Sequence, residues 1–151
     1  MGSEGRLDAF LDTNVLIAGM LSASGASAAV LDLAEAGVIV AVVSEQVLIE
    51  ADRTIEVKLP QLAHRYRQYI KALRPVLVED PSPADVRKAA KVIDTGDAPI
   101  LAAAMKHRVD YLVTLDRKHF HSAMARRYAP FPIVTPAQFL EAFRSLFSPQ
   151  S

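Results

Sequence analysis

Val38-Ile39-Val40-Ala41-Val42-Val43 is six apolar residues in a row, five of them β-branched. Such a run has no polar face to offer water. It reads as a strand buried on both sides, which is the mark of a parallel sheet covered by helices. Gly37 stands just before it and closes a helix spanning Ala26–Ala36 from the C′ position. Ser44 stands just after it and caps a helix running to Lys58, with Val47, Leu48, Ala51, Ile55 and Leu59 as its apolar stripe. Helix, buried strand and helix in succession point to an α/β fold.

The same alternation extends in both directions. Leu7–Leu11, Val76–Val78, Tyr111–Leu115 and Ile133–Val134 read as further strands. Pro60 opens a helix with Leu62, Tyr66, Tyr69, Ile70 and Leu73 on one face, a stripe read as core, and Pro75 ends it. Ser82-Pro83 starts another, with cap and first-turn proline in order. Asp97 begins a helix carrying Ile100, Leu101, Ala104 and Met105. Thr135-Pro136-Ala137-Gln138 is a capping box for a last helix. We expect a single α/β/α sandwich on a mostly parallel sheet over residues 7–147. Residues 1–6 and 148–151 are expected to be flexible termini.

Composition narrows the function classes. The 151 residues are 51% hydrophobic, enough for one sizeable core. Seventeen basic residues balance seventeen acidic ones, which argues against a polybasic nucleic-acid coat but permits a local basic groove. Without cysteine there are no disulfides, thiolate metal sites or cysteine nucleophiles, and a reducing cytoplasm is the simplest home. Without tryptophan, and with 7% aromatics, base-stacking platforms are not expected. Thr13–Leu31 lacks charge, but its Thr, Asn, Gly and Ser residues break any membrane span.

In such folds ligands bind outside the carboxyl ends of the strands. Asp12 follows the first strand directly. Glu50 lies in the second turn of the helix after Val38–Val43, Asp97 opens a helix, and Asp116 follows Tyr111–Leu115. All four converge on one sheet edge. Two like charges about 4 Å apart repel by about 4 kcal/mol at an effective dielectric of 20, so protons or cations must relieve the cluster. All-oxygen ligands suit a hard ion, Mg²⁺ or Mn²⁺. The chemistry that follows is hydrolysis of a phosphodiester. Read singly, each acid has an ordinary role: Asp12 and Asp97 as helix caps, Glu50 as a solvated glutamate, Asp116 as a turn residue. Their convergence makes those readings weaker together than apart.

Four ordered motifs carry a family resemblance. Leu11-Asp12-Thr13-Asn14-Val15-Leu16-Ile17 resembles the opening motif of PIN-domain nucleases. Ser44 to Glu50 is similar to the second motif, Asp94-Thr95-Gly96-Asp97 with Ile100-Leu101-Ala102 to the third, and Asp110 to Asp116 to the fourth. The resemblance spans about Leu7 to Phe143 and is greatest to the bacterial and archaeal branch that contains VapC-like toxins of toxin–antitoxin systems. It implies Asp12, Glu50, Asp97 and Asp116 as the acidic metal cluster, with Asn14 and Thr114 as hydrogen-bonding supports. It implies Mg²⁺- or Mn²⁺-dependent endonucleolytic cleavage of single-stranded RNA, a homodimer and a protein antitoxin. Thr95 departs from the pattern where proline is frequent, and Leu115 where glycine is common; neither removes a ligand.

Arg117 and Lys118 follow Asp116 directly and are expected to contact the RNA backbone. Asp94 is read as a loop or supporting residue. His64, His107, His119 and His121 are read as surface histidines. Two other functions compete. One is a non-catalytic PIN-like module that binds RNA or protein. The other is a phosphotransfer domain with Asp12 as nucleophile, which is disfavoured by Asn14, where a second aspartate would be wanted, and by Thr114-Leu115-Asp116, which supplies neither paired acids nor a lysine.

Overall fold

The computed structural model describes residues 5–147. Of the expected flexible termini 1–6 and 148–151, residues 1–4 and 148–151 lie outside the described residues; Gly5 and Arg6 are described, and Arg6 Nη1 donates to Gly37 O at 3.2 Å. Five strands form one sheet: β1 (Asp8–Leu11), β2 (Val40–Ser44), β3 (Val76–Val78), β4 (Tyr111–Val113) and β5 (Ile133–Val134), in the order β3-β2-β1-β4-β5. Every pairing is parallel, so the sheet is wholly rather than mostly so. Among the described residues, eight α-helices pack around it: α1 (Thr13–Leu21), α2 (Ala26–Glu35), α3 (Glu45–Lys58), α4 (Ala63–Leu73), α5 (Pro83–Ala89), α6 (Ala98–Lys106), α7 (Ala123–Tyr128) and α8 (Pro136–Phe147).

All residues of β1 and β2 are buried, although successive side chains point to opposite faces. Both faces of the central sheet are therefore covered, as the unbroken apolar run predicts. That run enters the sheet two residues later than expected. Gly37 takes a left-handed φ of +79°, its N–H bonds Ala34 O at 3.0 Å, and Val38 N–H bonds Leu33 O at 2.9 Å. Val38 and Ile39 thus serve the C-terminal closure of α2 before the strand begins. The predicted cap after the run holds, with Ser44 accepting from Val47 N–H, and so does the capping box of the last helix, where Thr135 and Gln138 bond each other's backbone N–H reciprocally.

Two helices are additions to the sequence reading. α1 is apolar nearly all round, so it shows no periodicity; Val15, Leu16, Gly19 and Met20 are buried. α7 has six residues, too few to display a stripe, and Ser122 caps it by accepting from Ala125 N–H. The turn from α1 to α2 bends the chain by 96°, and no single helix among the described residues is long and apolar enough to cross a membrane.

Gly19 marks the closest approach of α1 to its neighbours. A Cβ there would run into Leu31 Cδ1 on α2 and reach 3.1 Å from the Tyr69 hydroxyl on α4. Leu31 is buried and has little room to yield. Gly19→Ala is therefore expected to destabilise the protein by about 1–3 kcal/mol, because overpacking outweighs the better helix propensity of alanine. Thermal unfolding checks this; an unchanged or raised Tm would contradict it.

Candidate active site

The sheet order reverses direction between β1 and β4. Connections leave these two strands toward opposite edges, opening a crevice at their carboxyl ends. Leu11 pairs with Val113, so the next residues on each strand, Asp12 and Thr114, meet at the crevice. Asp12 N–H bonds Val113 O at 3.1 Å and extends the ladder by one step. Thr114 Oγ1 donates to Asp12 Oδ2 at 2.7 Å. Asp12 Oδ1 accepts from Thr13 N–H at 2.8 Å, where Asp12 caps α1. Asn14 Nδ2 reaches Asp12 Oδ2 at 3.4 Å, and Asn14 Oδ1 accepts Leu115 N–H at 3.1 Å. That last bond pulls Leu115 out of the sheet, so β4 ends at Val113 and Leu115 is exposed at the mouth.

Asp12 is 7% exposed. Burial pushes its carboxyl up to about 6, against the Thr114 and Thr13 hydrogen bonds that lower it; Asp97 and Glu50 add smaller upward pushes. Asp97 is also raised, first by burial, then by Asp116, with Asp94 and Glu50 contributing and His119 opposing. The four expected acids therefore share one electrostatic neighbourhood.

Their supports differ. Glu50 on α3 is held by Thr13 Oγ1 at 3.1 Å and Gln46 Nε2 at 3.0 Å. Asp116 Oδ1 accepts Lys118 and His119 N–H at 3.1 and 3.0 Å, and Asp116 N–H bonds Thr114 Oγ1 at 3.1 Å. Thr114 thus ties Asp12 to Asp116. Asp97 opens α6 without capping it through its side chain. Its carboxylate faces His119 instead: Nδ1 lies 2.8 Å from Asp97 Oδ2 and 3.1 Å from Asp116 Oδ2. Ligand atoms of Asp97, Asp116 and His119 lie within 4.8 Å of one another.

His119 corrects the sequence reading, which placed it on the surface. It is partly buried inside the acidic site, because the fully buried Phe120 anchors the loop after Asp116 and turns the preceding imidazole inward. The i,i+3 spacing from Asp116 was the available signal. Thr13 and Gln46 were also missed as supports; Gln46 stands one turn before Glu50, the spacing at which helix side chains meet. Asp94 is exposed and accepts Gly96 N–H at 3.0 Å, a turn role that agrees with its reading.

Arg117 and Lys118 are exposed beside the crevice. His121 is held below its ordinary value, mainly by burial, with Arg126 and Arg117 adding to the effect and the Thr114 backbone opposing it. Arg126 Nη2 lies 3.0 Å from His121 Nδ1. A guanidinium only donates, so that nitrogen accepts and the ring is neutral. A cationic margin therefore borders the acidic crevice.

A PIN-domain family model matches residues 8–118. No curated protein matches the sequence. Among solved structures, PAE2754 from Pyrobaculum aerophilum is similar, with a TM-score of 0.64 and 14% identity over 94% of each chain. FitAcB from Neisseria gonorrhoeae has a TM-score of 0.61 and 22% identity over 85% of this chain and 98% of that one. VapBC2 from Rickettsia felis, bound to a DNA fragment from their promoter, has a TM-score of 0.60 and 14% identity over 85% and 98%. At these identities the likeness is one of fold. The family model covers all four acids and the crevice that gathers them, and the chain belongs to the PIN-domain family.

Proposed function

We propose that this protein is a divalent-metal-dependent endoribonuclease that hydrolyses phosphodiester bonds of single-stranded RNA, acting in the cytoplasm as the toxin of a toxin–antitoxin pair. The observation that carries the reading is the gathering of Asp12, Glu50, Asp97 and Asp116 around the crevice between β1 and β4, with Asp12 buried and its carboxyl raised. One buried and three half-buried carboxylates gathered at a ligand-binding edge are the donor set that a hard cation relieves.

The residues fit Mg²⁺ or Mn²⁺, and those four acids would hold it. When bound, the ion supplies an activated water and neutralises charge developing on the phosphate. The chain's own groups do the rest. Thr114, Thr13 and Asn14 orient Asp12, while Thr13 and Gln46 orient Glu50. Arg117 and Lys118 draw the phosphate backbone to the crevice mouth. The structural likeness to VapBC2, bound to DNA from their promoter, supports a protein antitoxin for this chain. A groove of about 310 Å³ between α3 and α4, with half-exposed Ile49 on its wall, suits a homodimer contact or that partner.

The test is incubation of purified protein with a pool of structured and single-stranded RNA in Mn²⁺, Mg²⁺ or EDTA. Cleavage of single-stranded RNA that needs the metal, and that is lost in Asp97→Asn and Asp116→Asn, supports the reading. A folded protein that neither binds metal nor cuts RNA would instead be a non-catalytic RNA- or protein-binding module. The cationic margin makes a separate prediction. Each single-strand phosphate contact contributes roughly 0.7 to the slope of log affinity against log salt, so Arg117→Ala/Lys118→Ala is expected to weaken RNA binding and flatten that slope by roughly 1.4. Unchanged binding across a salt series would remove both residues from the interface.

A further inference from the structure

Building on the metal-dependent reading above, we propose that His119 is a nitrogen ligand of the same metal, joining Asp97 and Asp116 on the outer side of the crevice and shifting ion preference away from Mg²⁺ toward Mn²⁺. His119 lies one residue beyond the segment that the family model matches.

Three features converge on its Nδ1. The first is distance. Nδ1 stands 2.8 Å from Asp97 Oδ2 and 3.1 Å from Asp116 Oδ2. Neighbouring ligands of an octahedral ion with bonds of about 2.1 Å lie about 3.0 Å apart, so these separations match two edges of one coordination sphere. Without metal, the same nitrogen hydrogen-bonds Asp116 Oδ2.

The second is which oxygens remain available. Asp116 Oδ1 is committed to the Lys118 and His119 backbone N–H groups, leaving Oδ2 toward the imidazole. Asp97 stands at the N-cap of α6 yet makes no side-chain cap bond, so its carboxylate is not committed to the helix. The third is rigidity. Phe120 is fully buried, and the Asp116 hydrogen bonds close the turn, so the ring is held at a fixed place rather than on a free loop.

The chemistry sets the consequence. Mg²⁺ takes oxygen ligands almost exclusively, whereas transition ions accept imidazole. A site of carboxylates alone would not discriminate in this way.

The full chain loaded with Mn²⁺ is examined by pulsed electron paramagnetic resonance for coupling to ¹⁴N. His121→Ala controls for the nearby second imidazole. Calorimetric titrations with Mn²⁺ and with Mg²⁺ accompany it for the parent, His119→Gln and His119→Ala. The expected result is nitrogen coupling in the parent and in His121→Ala that both His119 variants lose. Mn²⁺ affinity falls about tenfold in those variants while Mg²⁺ affinity changes by less than about threefold. Bound Mn²⁺ with no nitrogen coupling in the parent, or coupling that survives in the His119 variants, overturns the assignment and leaves the nuclease reading standing. Failure of the parent to bind Mn²⁺ at all overturns both.

Discussion

Asp12→Asn is expected to lower metal-dependent RNA cleavage by roughly a thousandfold, the several kcal/mol that a metal-held phosphate charge is worth, and to make the metal-free protein more stable at pH 7. The two effects share one cause. Asp12 is buried, and both its oxygens already accept hydrogen bonds, yet its carboxyl is raised from an ordinary 3.8 to about 6. Below pH 3.8 the folded and unfolded chains both carry the proton. Between 3.8 and about 6 the unfolded chain has lost it and the folded chain keeps it, so stability falls as pH rises through that window. Above it the ionised group costs about 3 kcal/mol. Asparagine carries no charge and removes that cost, and its oxygen can still accept Thr13 N–H. Asp97 is raised in the same direction, so the difference between variant and parent isolates Asp12. Thermal unfolding at pH 4.5 and 7.5, with and without Mn²⁺, reads it directly. The parent loses stability between the two pH values and regains it with metal; the variant shows a smaller loss and little gain. A variant that cuts RNA like the parent would remove Asp12 from the reaction.

Thr114→Val is the second large effect. Valine has nearly the same shape as threonine, and position 114 is fully buried, so packing is preserved. What disappears is a hydroxyl that donates to Asp12 Oδ2 and accepts Asp116 N–H. Asp12 keeps only the longer Asn14 contact on that oxygen, and the Asp116 amide loses its partner. Leaving such groups unmatched costs about 1–3 kcal/mol. Because the Thr114 bond lowers the Asp12 pKa, its loss raises that value further, and the acidic limb of the cleavage profile moves to higher pH. Cleavage at neutral pH is expected to fall about tenfold or more, in line with losses of residues that support metal ligands. Thr114→Ser restores the hydroxyl and is expected to recover most of the activity and the pH profile. Equal behaviour of the valine and serine variants would show that the hydroxyl does not matter.

Val38–Val43 and the flanking Gly37 and Ser44 announced the buried parallel strand, the helix closure and the helix start, because those signals act over a few residues. The motifs around Asp12, Glu50, Asp97 and Asp116 pointed to one edge for a related reason: in a parallel sheet, strand ends and helix starts share that edge whatever lies between. α1 escaped notice because a helix buried on most sides has no polar face to give it a period. The sheet order left no trace either, since it depends on which strands pair across long stretches of chain.

The chain by itself therefore determined the α/β class, the parallel sheet, the capping residues and the identities of four acids at one edge. These follow from propensity, periodicity and the fixed direction of strands and helices. Tertiary structure alone decided that β1 and β4 flank the crevice, that Thr114 joins Asp12 to Asp116, and that Thr13 and Gln46 hold Glu50. It also decided that His119 faces two carboxylates, because the buried Phe120 sets the direction of its neighbour only once a core exists to receive it.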